Sequence, residues 1–177
     1  MTKLIAKLTH QEIVHRQKEK QTLARLPFCV VLNNIRSLYN VGSIFRTADG
    51  AGAEKLWLCG ITGHPPNAMI TKTALGAEER VAWEYATDSL SVVRTLKTKG
   101  YQIVLLEQAK QSIPYQLFVP QRPVCLVLGN EISGVSDELL NLCNGVVEIE
   151  MRGVKNSLNV SVAFGIVAYH IGNKLAV

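Results

Sequence analysis

Short apolar runs alternate with amphipathic stretches along most of the chain. PFCVVLNN (27–34), EKLWLCGI (54–61), VAWEYA (81–86), YQIVLLE (101–107), PVCLVLG (123–129) and GVVEIEM (145–151) are brief and rich in β-branched and aromatic residues, as strands require. Between them lie helix-type segments: VGSIFRTADGAG (41–52), a stretch introduced by Pro65 and Pro66 and running to Leu75, DSLSVVRTLKTK (88–99), SDELLNLC (136–143) and SLNVSVAFGIVAYHIG (157–172). Strand and helix in alternation predict about six strands in a mainly parallel sheet with crossover helices on both faces, a doubly wound α/β domain.

A further helix is predicted over Thr9 to Ala24. Thr9 and Glu12 have capping-box spacing, so hydroxyl and carboxylate can satisfy the first free amides. Its apolar positions are few (Ile13, Val14, Leu23), and His15, Arg16, Lys18, Lys20 and Arg25 make it basic. The organisation expected is therefore a basic helical extension over 1–26, either a solvated helix or an arm that touches nucleic acid, followed by one domain over 27–177.

Composition narrows the class. Of 177 residues 47% are hydrophobic and 19% charged, a globular balance with no apolar stretch near the roughly 20 residues of a membrane helix. The N-terminus turns polar too early for a secretory signal, so a cytoplasmic protein is expected. Net charge is +5, which suits an anionic partner without requiring one. Cys29, Cys59, Cys125 and Cys143 form no CxxC pair, and the first three, in or beside apolar runs, read as small core residues; His10, His15, His64 and His170 are scattered, so no metal site is expected.

Three segments, each following an apolar strand, carry the candidate chemistry, because ligands of open α/β sheets bind beyond the strands' carboxyl ends. In the first, Asn33, Asn34, Arg36 and Asn40 precede a helix whose buried stripe is Val41, Ile44, Phe45 and Ala48. Arg46 lies about 140° round from Val41 and leaves that stripe. It either reaches an anion or pairs with Asp49 or Glu54. In the second, Gly129 and Gly134 allow a tight return. Glu131 in that bend either binds a ligand amine or holds a loop by accepting amides, and Ser136 is an N-cap. In the third, Ser157 begins a helix in which Ser157, Ser161 and Gly165 form a small-residue ridge suited to close helix packing. Asn159 faces elsewhere and must find partners. No GxGxxG, Walker or Ser-His-Asp pattern is present, a profile that fits group transfer from a bulky cofactor.

Together NVGSIFRTADGAGA (40–53), LVLGNEISGVSDELL (126–140) and EIEMRGVKNSLNVSVAFGI (148–166) resemble, in order and spacing, the three motifs of the SpoU/TrmH family of SPOUT methyltransferases. The resemblance spans residues 27–173 and departs from the family in small ways, at Ser43 and Asn130. It implies a Rossmann-like sheet with a C-terminal trefoil knot, and S-adenosylmethionine held mainly by backbone at Leu106, Gly129, Ile149, Ser157 and Leu158. It implies a homodimer through the C-terminal helix. The implied reaction is methyl transfer to an RNA ribose 2′-hydroxyl, in transfer RNA or alternatively ribosomal RNA. Asn40, Arg46, Glu131 and Asn159 form the implied catalytic set, with Ser157 in support. Arg36, Lys72, Arg80, Arg152 and Lys155 flank these segments as candidate RNA contacts, with ordinary surface charge the other reading. Two rivals stand beside this one: a nucleotide-dependent Rossmann enzyme without the usual fingerprint, and a non-catalytic RNA-binding relative.

Overall fold

The computed structural model describes residues 6–20 and 24–176. Seven parallel strands form one sheet in the order β3-β2-β1-β6-β4-β7-β5. They are β1 (Leu26–Asn33), β2 (Ala53–Cys59), β3 (Ala82–Ala86), β4 (Gln102–Leu106), β5 (Ile113–Pro114), β6 (Val124–Leu128) and β7 (Gly145–Glu148). The helices are α1 (His10–Lys20), α2 (Leu38–Ala51), α3 (Ala68–Ala74), α4 (Ser89–Thr98), α5 (Asp137–Leu142) and α6 (Val160–Leu175). All six apolar runs read from the sequence are strands. The seventh, β5, has two residues, one of them a proline, and offers no periodicity to read.

Each face of the sheet has its own core. On one, Val30, Leu32, Leu56 and Leu126 pack with Ile44, Phe45 and Ala48 of α2 and Phe164, Val167 and Ile171 of α6. On the other, Cys29, Val31, Cys125 and Val127 pack with Val92, Val93 and Leu96 of α4 and Leu139 of α5. Cys29, Cys59 and Cys125 are buried thiols within that second core, as apolar surroundings suggested. Helix ends follow the expected side chains. Thr9 and Glu12 cap α1 reciprocally: the Thr9 amide donates to Glu12 Oε2 at 2.7 Å and the Glu12 amide to Thr9 Oγ1 at 3.3 Å. The predicted continuation of α1 through residues 21–23, with Leu23, lies outside the described residues. Ser136 caps α5, accepting from the Leu139 amide.

The last helix starts later than expected. Ser157 is not in it; Asn159 is its N-cap, accepting from the Ser161 amide at 2.9 Å, and the helix proper begins at Val160. The closest approach of a glycine of α6 to another helix is also not at the Ser157-Ser161-Gly165 ridge. It is at Gly172, where a Cβ would lie 2.7 Å from the Ala51 carbonyl oxygen, whereas one at Gly165 would meet Thr47 Cγ2 at an ordinary 3.7 Å. α6 therefore runs beside α2 with its far end in closest contact.

Because every strand is parallel, their carboxyl ends share one edge. Strand order turns back between β1 and β6, the position where open α/β sheets form their crevice.

Candidate functional site

At that edge the loop after β1 and the loop after β6 are stitched together. Asn130 donates from Nδ2 to the Asn34 carbonyl at 2.7 Å, while its Oδ1 accepts the Ile132 and Ser133 amides at 2.9 and 3.1 Å. Asn130 and Gly134 also exchange backbone hydrogen bonds, which closes the turn. Gly129 is required for that closure. A Cβ there would lie 2.5 Å from the Gly134 carbonyl carbon and 2.8 Å from the Val135 amide, both unyielding backbone atoms.

Glu131 reaches out of this turn and holds the start of α2. Its carboxylate accepts the Arg36 amide at 3.0 Å, the Ser37 amide at 3.3 Å and Asn40 Nδ2 at 3.2 Å. Asn40 Oδ1 in turn accepts Nδ2 of Asn159 at 3.1 Å, and Asn159 Oδ1 accepts the Ser161 hydroxyl at 2.7 Å. Residues from all three motif segments thus form one hydrogen-bonded chain, Glu131–Asn40–Asn159–Ser161. Of the two roles open to Glu131 in the sequence, the loop-holding one is seen. Burial pushes its carboxyl up. Donation from the Arg36 amide, its own amide, the Asn40 side chain and the Ser37 amide outweighs this and leaves it below the ordinary carboxylate value.

Beside this chain opens a cleft of about 590 Å³, within the roughly 300–1,000 Å³ usual for small-molecule sites. Its floor is the strand ends Leu106, Leu128 and Glu148, and its walls are the 129–134 turn and residues 156–160. Leu106, Gly129, Ile149, Ser157 and Leu158, the positions carried over for a cofactor, all line it, as do Glu131 and Asn159. Asn40 joins through hydrogen bonds. Arg46 does not line it. It is exposed on the outward face of α2 and makes no hydrogen bond or ion pair to any described residue. The pairing open in the sequence is not made: Asp49 binds Arg25 at 2.6 Å, and Glu54 accepts the Tyr101 hydroxyl at 2.6 Å.

Glu107 and Gln108, which follow β4, were not singled out in the sequence. Glu107 Oε2 accepts the Val135 amide at 3.2 Å, and Gln108 Nε2 donates to the Asn156 carbonyl at 2.5 Å, so this loop braces both cleft walls. Their position just past an apolar strand was the available signal. Glu107, Glu131 and Glu148 give the cleft three carboxylates, and no lysine, arginine or histidine is among the described residues lining it. In a chain of net charge +5 the cleft is thus a local reversal of sign.

The candidate RNA contacts divide by place. Arg36, Arg152 and Lys155 are exposed beside the cleft loops, with Arg152 3.7 Å from Glu150. Lys72 is exposed on α3. Arg80 precedes β3, at the opposite edge of the sheet, where its carbonyl accepts from Arg25 at 3.3 Å. Among the described residues no group of three or more His, Cys, Asp or Glu gathers as a metal site, and no helix is long and apolar enough to cross a membrane.

Known proteins share this fold. The SpoU rRNA Methylase family matches residues 27–169. A tRNA (guanosine(18)-2′-O)-methyltransferase of Aquifex aeolicus is 32% identical over 142 residues, 79% of this chain and 66% of that protein. The solved structure of the A. aeolicus TrmH/SpoU tRNA modifying enzyme superposes with a TM-score of 0.80 at 27% identity, covering 93% of this chain and 83% of that one. An S-adenosylmethionine-bound rRNA methyltransferase from Sinorhizobium meliloti gives 0.76 at 30% identity, over 81% and 54%. The chain spans about two thirds of the length of the curated relatives it matches. With the family matched across the sheet, the crevice and most of α6, the chain belongs to the SpoU rRNA Methylase family.

Proposed function

We propose that the protein is an S-adenosylmethionine-dependent methyltransferase acting on a ribose 2′-hydroxyl of RNA. The observation that carries this reading is the sign of the cleft. Three carboxylates and no cation suit a ligand with a sulfonium and an ammonium, and disfavour the phosphates of NAD or ATP. The apolar side chains of Leu106, Leu128, Ile149 and Leu158 suit an adenine and a thioether chain, and the glycine-dependent turn brings backbone atoms close. The residues therefore fit the cofactor.

When bound, S-adenosylmethionine supplies an electrophilic methyl group. The chain's own residues do the rest. Glu131, Asn40 and Asn159 fix the three loops so that the cleft keeps its shape, which is how a site gains from alignment. Arg46, which makes no hydrogen bond or ion pair among the described residues, holds an RNA phosphate and stabilises charge growing on the 2′-oxygen. A guanidinium gives up its proton too reluctantly to serve as the base itself. From Asn40, at the cleft end, to Arg46 is about 9 Å along the axis of α2, so the RNA must pass over that helix to reach both the cleft and Arg46. Ser157, at the cleft wall, supports the loop.

Transfer RNA is the substrate favoured, since the Aquifex relative is named for it; ribosomal RNA is the alternative. The same reading includes a threaded C-terminal segment, supported by the braces from Glu107 to Val135 and Gln108 to Asn156 across the crossing chain. It also includes a homodimer through α6, supported by Val162 and Tyr169, which are 52% and 49% exposed on that helix, and a cytoplasmic location.

In a thermal-shift panel S-adenosylmethionine and S-adenosylhomocysteine should raise the melting temperature, with NAD and ATP inert. Protection by NAD or ATP alone would move the chain to the nucleotide-dependent class. Incubation with tritiated S-adenosylmethionine and total bacterial RNA, followed by nucleoside mass analysis, should yield a ribose-methylated nucleoside. A base-methylated one, or no transfer to any RNA, defeats the proposal.

A further inference from the structure

At the β3 end of the same sheet edge, aromatic rings gather outside the cleft. His64, in the loop after β2, stacks on Trp83 with centroids 5.9 Å apart and planes 19° from parallel. It also meets Tyr85 at 5.1 Å and 50°. Trp83 and Tyr85 alternate on β3, so both point to the face carrying α2 and α3. Filling a core explains Trp83, which packs against the first cluster. It does not explain His64, which is exposed, or Tyr85, which is 42% exposed with its hydroxyl tied to the Gly60 carbonyl at 3.0 Å.

This surface is continuous with the site. A Cβ at Gly63 would collide with the Leu38 side chain at the start of α2, so the His64 loop sits directly on that helix end. Next in sequence, Tyr39 is 46% exposed, with the Lys72 ammonium 5.9 Å from its ring centroid. Thr73 of α3 donates to the Tyr39 carbonyl at 3.0 Å, fixing the two helices together. The next residue, Asn40, is the middle of the site's hydrogen-bonded chain. The basic charges presented here are Lys72 and Arg36; the carboxylate of Glu131, at the Asn40 end, is taken by the Arg36 and Ser37 amides and Asn40. Glu84 points to the other face of β3 and is neutralised by Lys55 at 2.6 Å.

Exposed rings beside lysine and arginine, leading to an active site, are the composition of a platform for unpaired nucleobases. We infer that His64, Tyr85 and Tyr39 stack bases of the substrate RNA outside the cleft, with Lys72 and Arg36 on the intervening phosphates. This rests on the RNA methyltransferase reading and adds where the RNA runs. β3 lies three strand spacings from β6, about 14 Å. The bases taken are therefore neighbours of the methylated nucleotide rather than that nucleotide itself, and the RNA must be single-stranded or splayed where it crosses α2.

The test compares a single-stranded RNA 12-mer with a blunt RNA duplex of the same length, by fluorescence anisotropy. His64→Ala with Tyr85→Leu should weaken single-strand binding about 5- to 30-fold, the lower part of the range for losing base–aromatic stacks. Duplex binding and S-adenosylmethionine affinity should stay within about twofold. His64→Tyr and Tyr85→Phe, which keep the rings, should bind like the unmodified protein. Unchanged single-strand affinity in the ring-less variant overturns the inference, and would leave the patch as a protein-docking surface. So would an equal loss on strand and duplex, or a loss of S-adenosylmethionine affinity, which would mark a structural role. Failure of the unmodified protein to methylate any RNA would count against the proposed function, yet leave this comparison readable.

Discussion

Arg46→Ala should lower single-turnover methyl transfer to RNA by at least about 10²-fold, the scale of losing one preorganised donor at a developing oxyanion. S-adenosylmethionine binding measured by calorimetry should hardly change. The two expectations together are what the structure adds. Arg46 is exposed, makes no hydrogen bond or ion pair to any described residue and does not line the cleft, so its removal takes nothing from the cleft wall. Nor does it remove an ion pair, because Asp49 and Glu54 are engaged elsewhere. Lysine should rescue poorly, since it lacks the planar fork that grips a phosphate through two donors. A tenfold loss of cofactor affinity in Arg46→Ala, or an undiminished transfer rate, would remove this residue from the chemistry.

Glu131→Ala should reduce kcat/KM by about 10- to 100-fold. The carboxylate is the acceptor for two backbone amides and the Asn40 side chain, and bonds to an ionised group are the stronger kind. Solvent access keeps the loss toward the lower end. In contrast with Arg46→Ala, the cofactor's dissociation constant should rise as well, because the turn that Glu131 anchors is a wall of the cleft. Glu131→Gln should fall between, retaining one acceptor oxygen and turning an amide donor toward the Arg36 or Ser37 amide.

The pH dependence has a defined sign. The folded-state value of Glu131 is below the ordinary 4.5. Its stabilising contribution is therefore complete above that ordinary value and is lost only as pH falls through the lower folded one. The difference in stability between the parent protein and Glu131→Ala, from urea melts, should be flat from neutral pH to about pH 5 and shrink only in more acid solution.

Much of this architecture was legible in the sequence because strands buried on both faces read as unbroken apolar runs. PVCLVLG and FCVVL could hardly be anything else. The outward direction of Arg46 followed from helical period alone, since Val41, Ile44, Phe45 and Ala48 fix the buried side. What was lost was lost for physical reasons. Ser157 and Asn159 are both good N-caps, and local propensity does not choose between them. The choice is made by Asn40, more than a hundred residues away, which takes the Asn159 amide group and places Ser157 in the cleft wall. Glu107 went unremarked because its place in the site depends on the return of residue 135, whose amide it accepts. The sign of the cleft is likewise a property of three loops together and of none alone.

The bond between Asn40 and Asn159 spans 119 positions, and the contacts from Glu131 to the start of α2 and the loop before it span more than ninety. Such distant pairings form late, because the entropy of closing the chain must be met before they contribute. A polypeptide still short of residue 159 can lay down all of its strands, but one wall of the cleft is missing. The cleft is thus complete only when α6 seats itself and Asn159 reaches Asn40.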